Sequence, residues 1–411
     1  MSSSPASKRH DQGSLSGNKE SELEASNAPA PARSWLGRKS LLLECRWKWM
    51  AFPLGLFLVT RIALLGFAQI VLTLTPDLFV PGGEREVFQH YPALDGLCRW
   101  DCEIYSKIAR MGYSNAVATN FFPLYPLLAR GLHTITGMHP QLALLIVSNV
   151  AGLGSLMVIY RIFATLNGED AARWALTLFG VYPFAFFQAA GYPESLMIFF
   201  SALAILLALR GNHFWAGVAL GLGVLARHLT MFAGAALVAA QLRQHRPRLQ
   251  RLVLNPARLG LLVPWLFLGL YCLYLYVQFG NPLAFWAART QWGHLAWWSI
   301  VDLLTPQKSN AHVQVLYASL PFALIPTVGA VALVTRKQWA ELAAYALGLL
   351  LVVWAVGLLG LGRYAASCWP AFLPLGVWLA KRPSWQGPIV GMLALFQGLF
   401  FYLFVRQFPI I

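Results

Sequence analysis

Charge is scarce in this sequence, and acid scarcest of all: only 11% of its 411 residues are Asp, Glu, Lys or Arg, with 16 acidic side chains against 31 basic ones. Beside 58% hydrophobic residues, so small a charged fraction excludes an ordinary soluble domain and a chain disordered throughout. Cysteine is also sparse. The five present (Cys45, Cys98, Cys102, Cys272, Cys368) form no CxxC pair and flank no histidine cluster, so neither a zinc site nor a disulfide framework is expected. Cys98 and Cys102 do face each other across one turn if their segment is helical. His90, His133, His228 and His294 are scattered without metal-ligand spacing, so no metal site is expected. No strand is predicted and no Gly-rich phosphate loop follows one, which argues against a nucleotide-sugar or ATP enzyme. No internal repeat is detectable.

What the sequence has in abundance is long apolar runs. A membrane-crossing helix needs about 20 mainly apolar residues, and runs of roughly that kind recur from Met50 nearly to the C-terminus. About eleven are expected: 50–75, 140–164, 172–190, 194–210, 214–226, 229–242, 259–280, 312–335, 339–361, 364–380 and 388–405. The expected fold class is therefore an all-α polytopic membrane protein. The fifth and sixth runs are short, which puts Arg227-His228 in a break inside membrane-embedded structure. Residues 1–48, rich in Ser, Ala, Pro and charge, read as a disordered cytosolic tail ahead of a multi-span domain over 49–411, with the first run acting as a retained signal anchor.

Short cytosolic loops accumulate Lys and Arg. With the N-terminus inside, 20 of the 31 basic residues fall on the cytosolic side, five of them arginines between 243 and 258. The net charge of +15 is then a matter of membrane topology, and no nucleic acid partner is expected. This orientation exports Asp77, Glu84, Glu86, Asp95, Asp101, Glu103, Glu194 and Asp302, together with Arg227, Arg289 and Arg363.

The first exported loop, 76–139, is long, as functional loops are. Within it Trp100, Ile104, Ile108 and Met111 recur at helical spacing, predicting an interfacial helix with Asp101 in its first turn. A carboxylate there suits the helix dipole, so capping and catalysis account for it equally well. In FFPLYPLL (121–128) the phenylalanines suit an aromatic belt, and Tyr125 is a candidate sugar or phosphate contact. Glu194 follows Pro193 in an exported turn that suits a helix start. Arg227, Arg289 and Arg363 stand at exported boundaries, where several arginines together bind a phosphate or pair with the loop acids. Arg61, inside the first run, needs a partner or a wet cavity.

Taken in order, Arg99-Trp100-Asp101 with Tyr105 and Gly112-Tyr113, then FFPLYPLL, YPFAFF (182–187), GYPESL (191–196), GNPLAFWAARTQWG (280–293) and Arg363-Tyr364, resemble the PIG-V family. That family comprises the mannosyltransferases that add the second mannose to GPI anchors, and their prokaryotic relatives. The resemblance implies a GT-C-type bundle of about eleven spans and a sugar donor linked to polyprenyl phosphate. It further implies inverting transfer to a glycolipid or glycan acceptor on the extracytoplasmic side, with no cofactor beyond the lipid-linked donor. By motif position Asp101 is the implied general base. Asp95 is a second candidate carboxylate, and Arg99, Trp100, Tyr125, Glu194, Arg227, Arg289, Gln291, Arg363 and Tyr364 are candidate substrate contacts. The family's Arg-x-x-Gly reads Arg227-His228-Leu229-Thr230 here. Residue usage looks prokaryotic, which implies the plasma membrane; a eukaryotic chain belongs in the endoplasmic reticulum. The competing reading is a secondary transporter or lipid flippase, which short paired spans and boundary charges also suit.

Overall fold

The computed structural model describes residues 48–75, 91–244, 259–291, 311–408 and 410. The N-terminal tail, the 245–258 part of the basic loop, Asp77, Glu84, Glu86, His90, His294 and Asp302 lie outside them. Every regular element among the described residues is helical, in agreement with the all-α expectation.

Among the described residues six helices are long and apolar enough to cross a membrane. These are α1 (Lys48–Leu74), α5 (Pro140–Asn167), α10 (Leu259–Phe279), α12 (Ala311–Leu333, spanning from Leu316), α13 (Ala340–Val356, with the turn Lys337–Trp339 before it) and α16 (Pro383–Val405). Between them run the shorter α6 (Glu169–Gly180), α7 (Glu194–Leu209), α8 (His213–Ala226), α9 (Ala233–Gln244), α14 (Leu361–Ala366) and α15 (Phe372–Ala380). The helices α2 (Pro92–Leu97), α3 (Asp101–Met111) and α4 (Leu124–Thr136) follow the first span, and α11 (Ala284–Gln291) follows α10. Small residues let helices close up: Gly217 of α8 meets Gly260 of α10, where an added Cβ would strike the facing carbonyl.

Two expected spans are broken. The run 172–190 is helical only to Gly180, after which residues 181–193 form an irregular, largely buried segment. Pro183 and Pro193 discourage helix at the residues before them. Irregular backbone in apolar surroundings survives when its polar groups are paired, and several of its carbonyls are. Gln397 donates to the carbonyls of Gly180 (3.1 Å) and Tyr182 (3.0 Å), Asn149 to Ala189 (3.0 Å), and Arg61 to Gln188 (3.1 Å). This also answers the question of Arg61, whose Nε donates to Asn149 Oδ1 at 2.9 Å: it braces the segment through neutral oxygens. The run 364–380 divides likewise at Ser367–Cys368, ahead of Pro370. The residues of GYPESL, read as a turn, are all buried in the protein.

The α3 helix forms where periodicity places it, yet a different face is buried. Cys102, Tyr105, Ser106, Ile108 and Ala109 point inward, while Met111 is 65% exposed. The Tyr105 ring decides the rotation, packing edge-on against Phe121 (5.0 Å) and Tyr125 (4.9 Å). Against expectation, Cys98 and Cys102 are joined by a disulfide.

Candidate active site

The element that presents Asp101 begins after the short link between α2 and α3. Asp101 is the first residue of α3, and Trp100 before it has φ +55° and ψ −114°. A bulky residue held at such angles costs on the order of 1–3 kcal/mol and persists only where the surroundings over-determine it. Those surroundings include Tyr192, whose hydroxyl donates to the Arg99 carbonyl at 3.1 Å, and Gly191, whose N–H donates to the Leu97 carbonyl at 2.9 Å.

Asp101 opens onto a cavity of about 580 Å³ walled by α3, the residues around Phe122, the α8 end at Ala226–Leu229, α11, α13 and α14. Its Oδ2 accepts from Arg363 Nη1 at 2.9 Å. Arg363 Nε donates in turn to Glu194 Oε1, and Arg227 Nη1 donates to the same oxygen. Arg227 Nη2 donates to the Tyr364 hydroxyl at 3.0 Å. The result is one connected chain, Asp101, Arg363, Glu194, Arg227, Tyr364, drawn from four separate parts of the sequence. Glu194 has no exposed surface, whereas the Asp101 side chain keeps 18%. Glu194 is therefore the buried counter-ion that fixes both guanidiniums, and Asp101 the acid that faces the cavity. The Tyr192 ring lies under the Arg363 guanidinium at 4.4 Å and adds a cation–π contact.

Arg289, on α11, also lines the cavity and donates to His228 Nε2 (3.2 Å) and to the Val356 carbonyl (3.4 Å). Burial, Arg289 and Arg227 together hold the His228 imidazole down to about 3, so it stays neutral and can accept that hydrogen bond. Burial likewise pushes the Tyr105 hydroxyl well up. Glu103 and Lys107 line the cavity with opposite charges. Against Asp101 and Glu194 stand Arg227, Arg289 and Arg363, so the site holds one more cation than anion. An arginine-rich, partly desolvated wall with a surplus positive charge is chemistry suited to a phosphate.

Of the candidates read from the sequence, Asp101, Trp100, Arg227, Arg289, Arg363 and Tyr364 line this cavity, and Glu194 stands directly behind it. Three do not. Asp95 forms a buried pair with Arg99 at 2.7 Å, the two side chains keeping 12% and 2% of their exposure, and Arg99 Nε also donates to the Val405 carbonyl at 3.2 Å. Asp95 and Arg99 thus fasten α2 to the end of α16. Tyr125 is fully buried, its hydroxyl bonded to Ser148 Oγ (2.8 Å) and the Leu144 carbonyl (3.0 Å), so it is packing, not a sugar contact. Phe121 and Phe122 are buried as well, Phe122 against His228 and Tyr271, which removes them from the aromatic belt. Gln291 ends α11, and its side chain lies outside the described residues. Sequence reasoning overlooked Tyr192 and His228. The signal for His228 was its place beside Arg227 in a break between two short apolar runs. Among the described residues no three His, Cys, Asp or Glu side chains gather as a metal site.

Comparison with known proteins finds a match to the family model described as mannosyltransferase (PIG-V) over residues 78–280. GPI alpha-1,6-mannosyltransferase 2 of Cricetulus griseus is 30% identical over 213 residues, which cover 46% of this chain and 42% of that protein. The Rattus norvegicus protein of the same name is 31% identical over 229 residues, 51% of this chain and 46% of its own length. The matched region thus spans less than half the length of these relatives. Among solved structures, the archaeal oligosaccharyltransferase AglB of Archaeoglobus fulgidus, in complex with an inhibitory peptide and a dolichol-phosphate, aligns with a TM-score of 0.42 at 12% identity. That alignment covers 89% of this chain and 56% of that one. The apo form gives 0.42 at 13% identity, over 87% and 56%.

Proposed function

We propose that the chain is an integral-membrane glycosyltransferase with its active site in the Asp101 cavity, a reading supported by the match of residues 78–280 to the mannosyltransferase (PIG-V) family model. The donor is a mannose linked to polyprenyl phosphate, the acceptor is a hydroxyl of a glycolipid or glycan, and transfer takes place on the extracytoplasmic side with inversion. The observation that carries this reading is the ionic chain in which Arg363 links Asp101 to buried Glu194 beside a cavity with an arginine surplus.

The chemistry follows from those residue types. An acceptor oxygen attacks the anomeric carbon as the bond from that carbon to the phosphate oxygen breaks, and the hydroxyl proton must leave as positive charge builds on the sugar. Arg363 engages one oxygen of Asp101, so the other is available to take the proton. The departing polyprenyl phosphate gains charge, which Arg289 and Arg227 stabilise from fixed positions. A donor dissolved in the bilayer is in keeping with the absence of a nucleotide-binding motif.

The test incubates purified protein with labelled polyprenyl-phosphate mannose and membrane extract, then identifies what becomes labelled. Label in a glycolipid or glycan is expected from the wild type, with loss of about 10²- to 10⁴-fold in rate for a folded Asp101→Asn variant. Transport of a solute into liposomes, with no transfer from any lipid-linked sugar, overturns the reading.

A further inference from the structure

The proposed base sits inside a covalent ring. Cys98 and Cys102 are disulfide-bonded, and the residues between them are Arg99, Trp100 and Asp101. We propose that this disulfide is a positioning device for the transfer reaction, holding Asp101 at the angle from which it meets the acceptor. The inference rests on the reading of Asp101 as base.

Three observations on the ring converge. First, Trp100 is held in the left-handed region of φ, where bulky side chains rarely stay, so the ring keeps a backbone path the chain would otherwise abandon. Second, the ring is wedged against the irregular 181–193 segment. A Cβ at Gly191 would collide with Cys102 Sγ, the Gly191 N–H donates to Leu97 O at 2.9 Å, and Tyr192 donates to Arg99 O at 3.1 Å. Third, Tyr192 also stacks under Arg363, the partner of Asp101, so one residue touches both the ring and the ionic chain. Neither Cys98 nor Cys102 lines the cavity. They act through Asp101. A disulfide persists in an oxidising compartment, which is the side to which the basic-residue count assigns this loop. Cys272 and Cys368 remain thiols.

Full-length protein, purified without reductant, denatured, alkylated with iodoacetamide and digested, is expected to yield the 98–102 peptide unalkylated and lighter by two hydrogens than the dithiol. Cys272 and Cys368 are expected to be alkylated. A Cys98→Ala/Cys102→Ala double variant is expected to keep the donor KM and lose about 10- to 100-fold in kcat, the size of effect a small misplacement of a reacting group produces. A purely structural bond would lower the folded fraction and leave kcat per folded molecule unchanged. Should the variant fail to fold, dithiothreitol on the wild type replaces it. That reagent supplies the two electrons and two protons that turn the bond into two thiols and is itself oxidised to a cyclic disulfide. The kcat is then expected to fall in proportion to the reduced fraction read by alkylation. Free thiols at 98 and 102 in the native protein, or wild-type kcat with the bond absent, overturn the inference while the base reading stands. A wild type with the bond intact that transfers no sugar overturns the base reading, and this inference with it.

Discussion

Two acid–arginine pairs lie within a few residues of each other, and their fates differ. Asp95 and Arg99 are an i,i+4 pair, both side chains nearly sealed, tied to each other and to the Val405 carbonyl. Asp101 meets Arg363 across 262 positions of sequence, keeps part of its surface, and looks into a cavity that Arg289 also lines. In composition the pairs are the same, and the motif that carries them does not rank one acid above the other. Access distinguishes them. A carboxylate whose charge is neutralised and enclosed can only hold structure together, while one oriented by a buried network and left open on one side can exchange a proton with a ligand.

Four perturbations break or sharpen this contrast. The largest effect is expected from Asp101→Asn, which removes the proton acceptor but keeps a hydrogen-bonding side chain. The rate should fall about 10²- to 10⁴-fold at unchanged melting temperature. Asp95→Asn should do the reverse, since breaking a buried pair from one side costs about 3–5 kcal/mol, visible as a lower denaturation midpoint, with kcat per folded molecule retained. Arg289→Ala removes a charged donor from the leaving phosphate and should lower kcat for transfer about tenfold, the equivalent of about 1.4 kcal/mol of transition-state stabilisation. The fourth concerns pH. His228 is held below its unfolded value, so from the ordinary histidine range down to about pH 3 the unfolded chain binds a proton that the folded chain refuses. The stability this group contributes is fully present above that window and is lost as pH falls through it. His228→Asn should flatten that part of a stability-versus-pH curve.

Much of this site was legible in the sequence because its members are of an unusual kind. In a chain so poor in charge, the acids and arginines at the edges of apolar runs are few enough to single out, and although capping or ion pairing also accounted for each of them, Asp101, Glu194, Arg227, Arg289 and Arg363 all converge. What stayed hidden is whatever depends on distant packing. Helical periodicity predicted α3 but not its rotation, since Tyr105 turns inward to meet Phe121 and Tyr125, partners the stripe of Trp100, Ile104, Ile108 and Met111 does not encode. The run 172–190 is apolar because it is buried in protein, and composition alone cannot separate that from burial in lipid. Tyr125 and Asp95 belong to the same motifs as the cavity residues, yet a motif records proximity in sequence and not which way a side chain faces. The Cys98 and Cys102 spacing was visible, but the positive φ of Trp100 between them is an angle no propensity would suggest.

The central claim is that of the two acids in this motif Asp101 takes the proton and Asp95 does not. Single-turnover transfer from labelled polyprenyl-phosphate mannose by Asp101→Asn and Asp95→Asn, each normalised to its folded fraction, tests it most directly. A rate near wild type for Asp95→Asn and one at least about 10²-fold lower for Asp101→Asn is the predicted result; equal rates, or the opposite order, would contradict it.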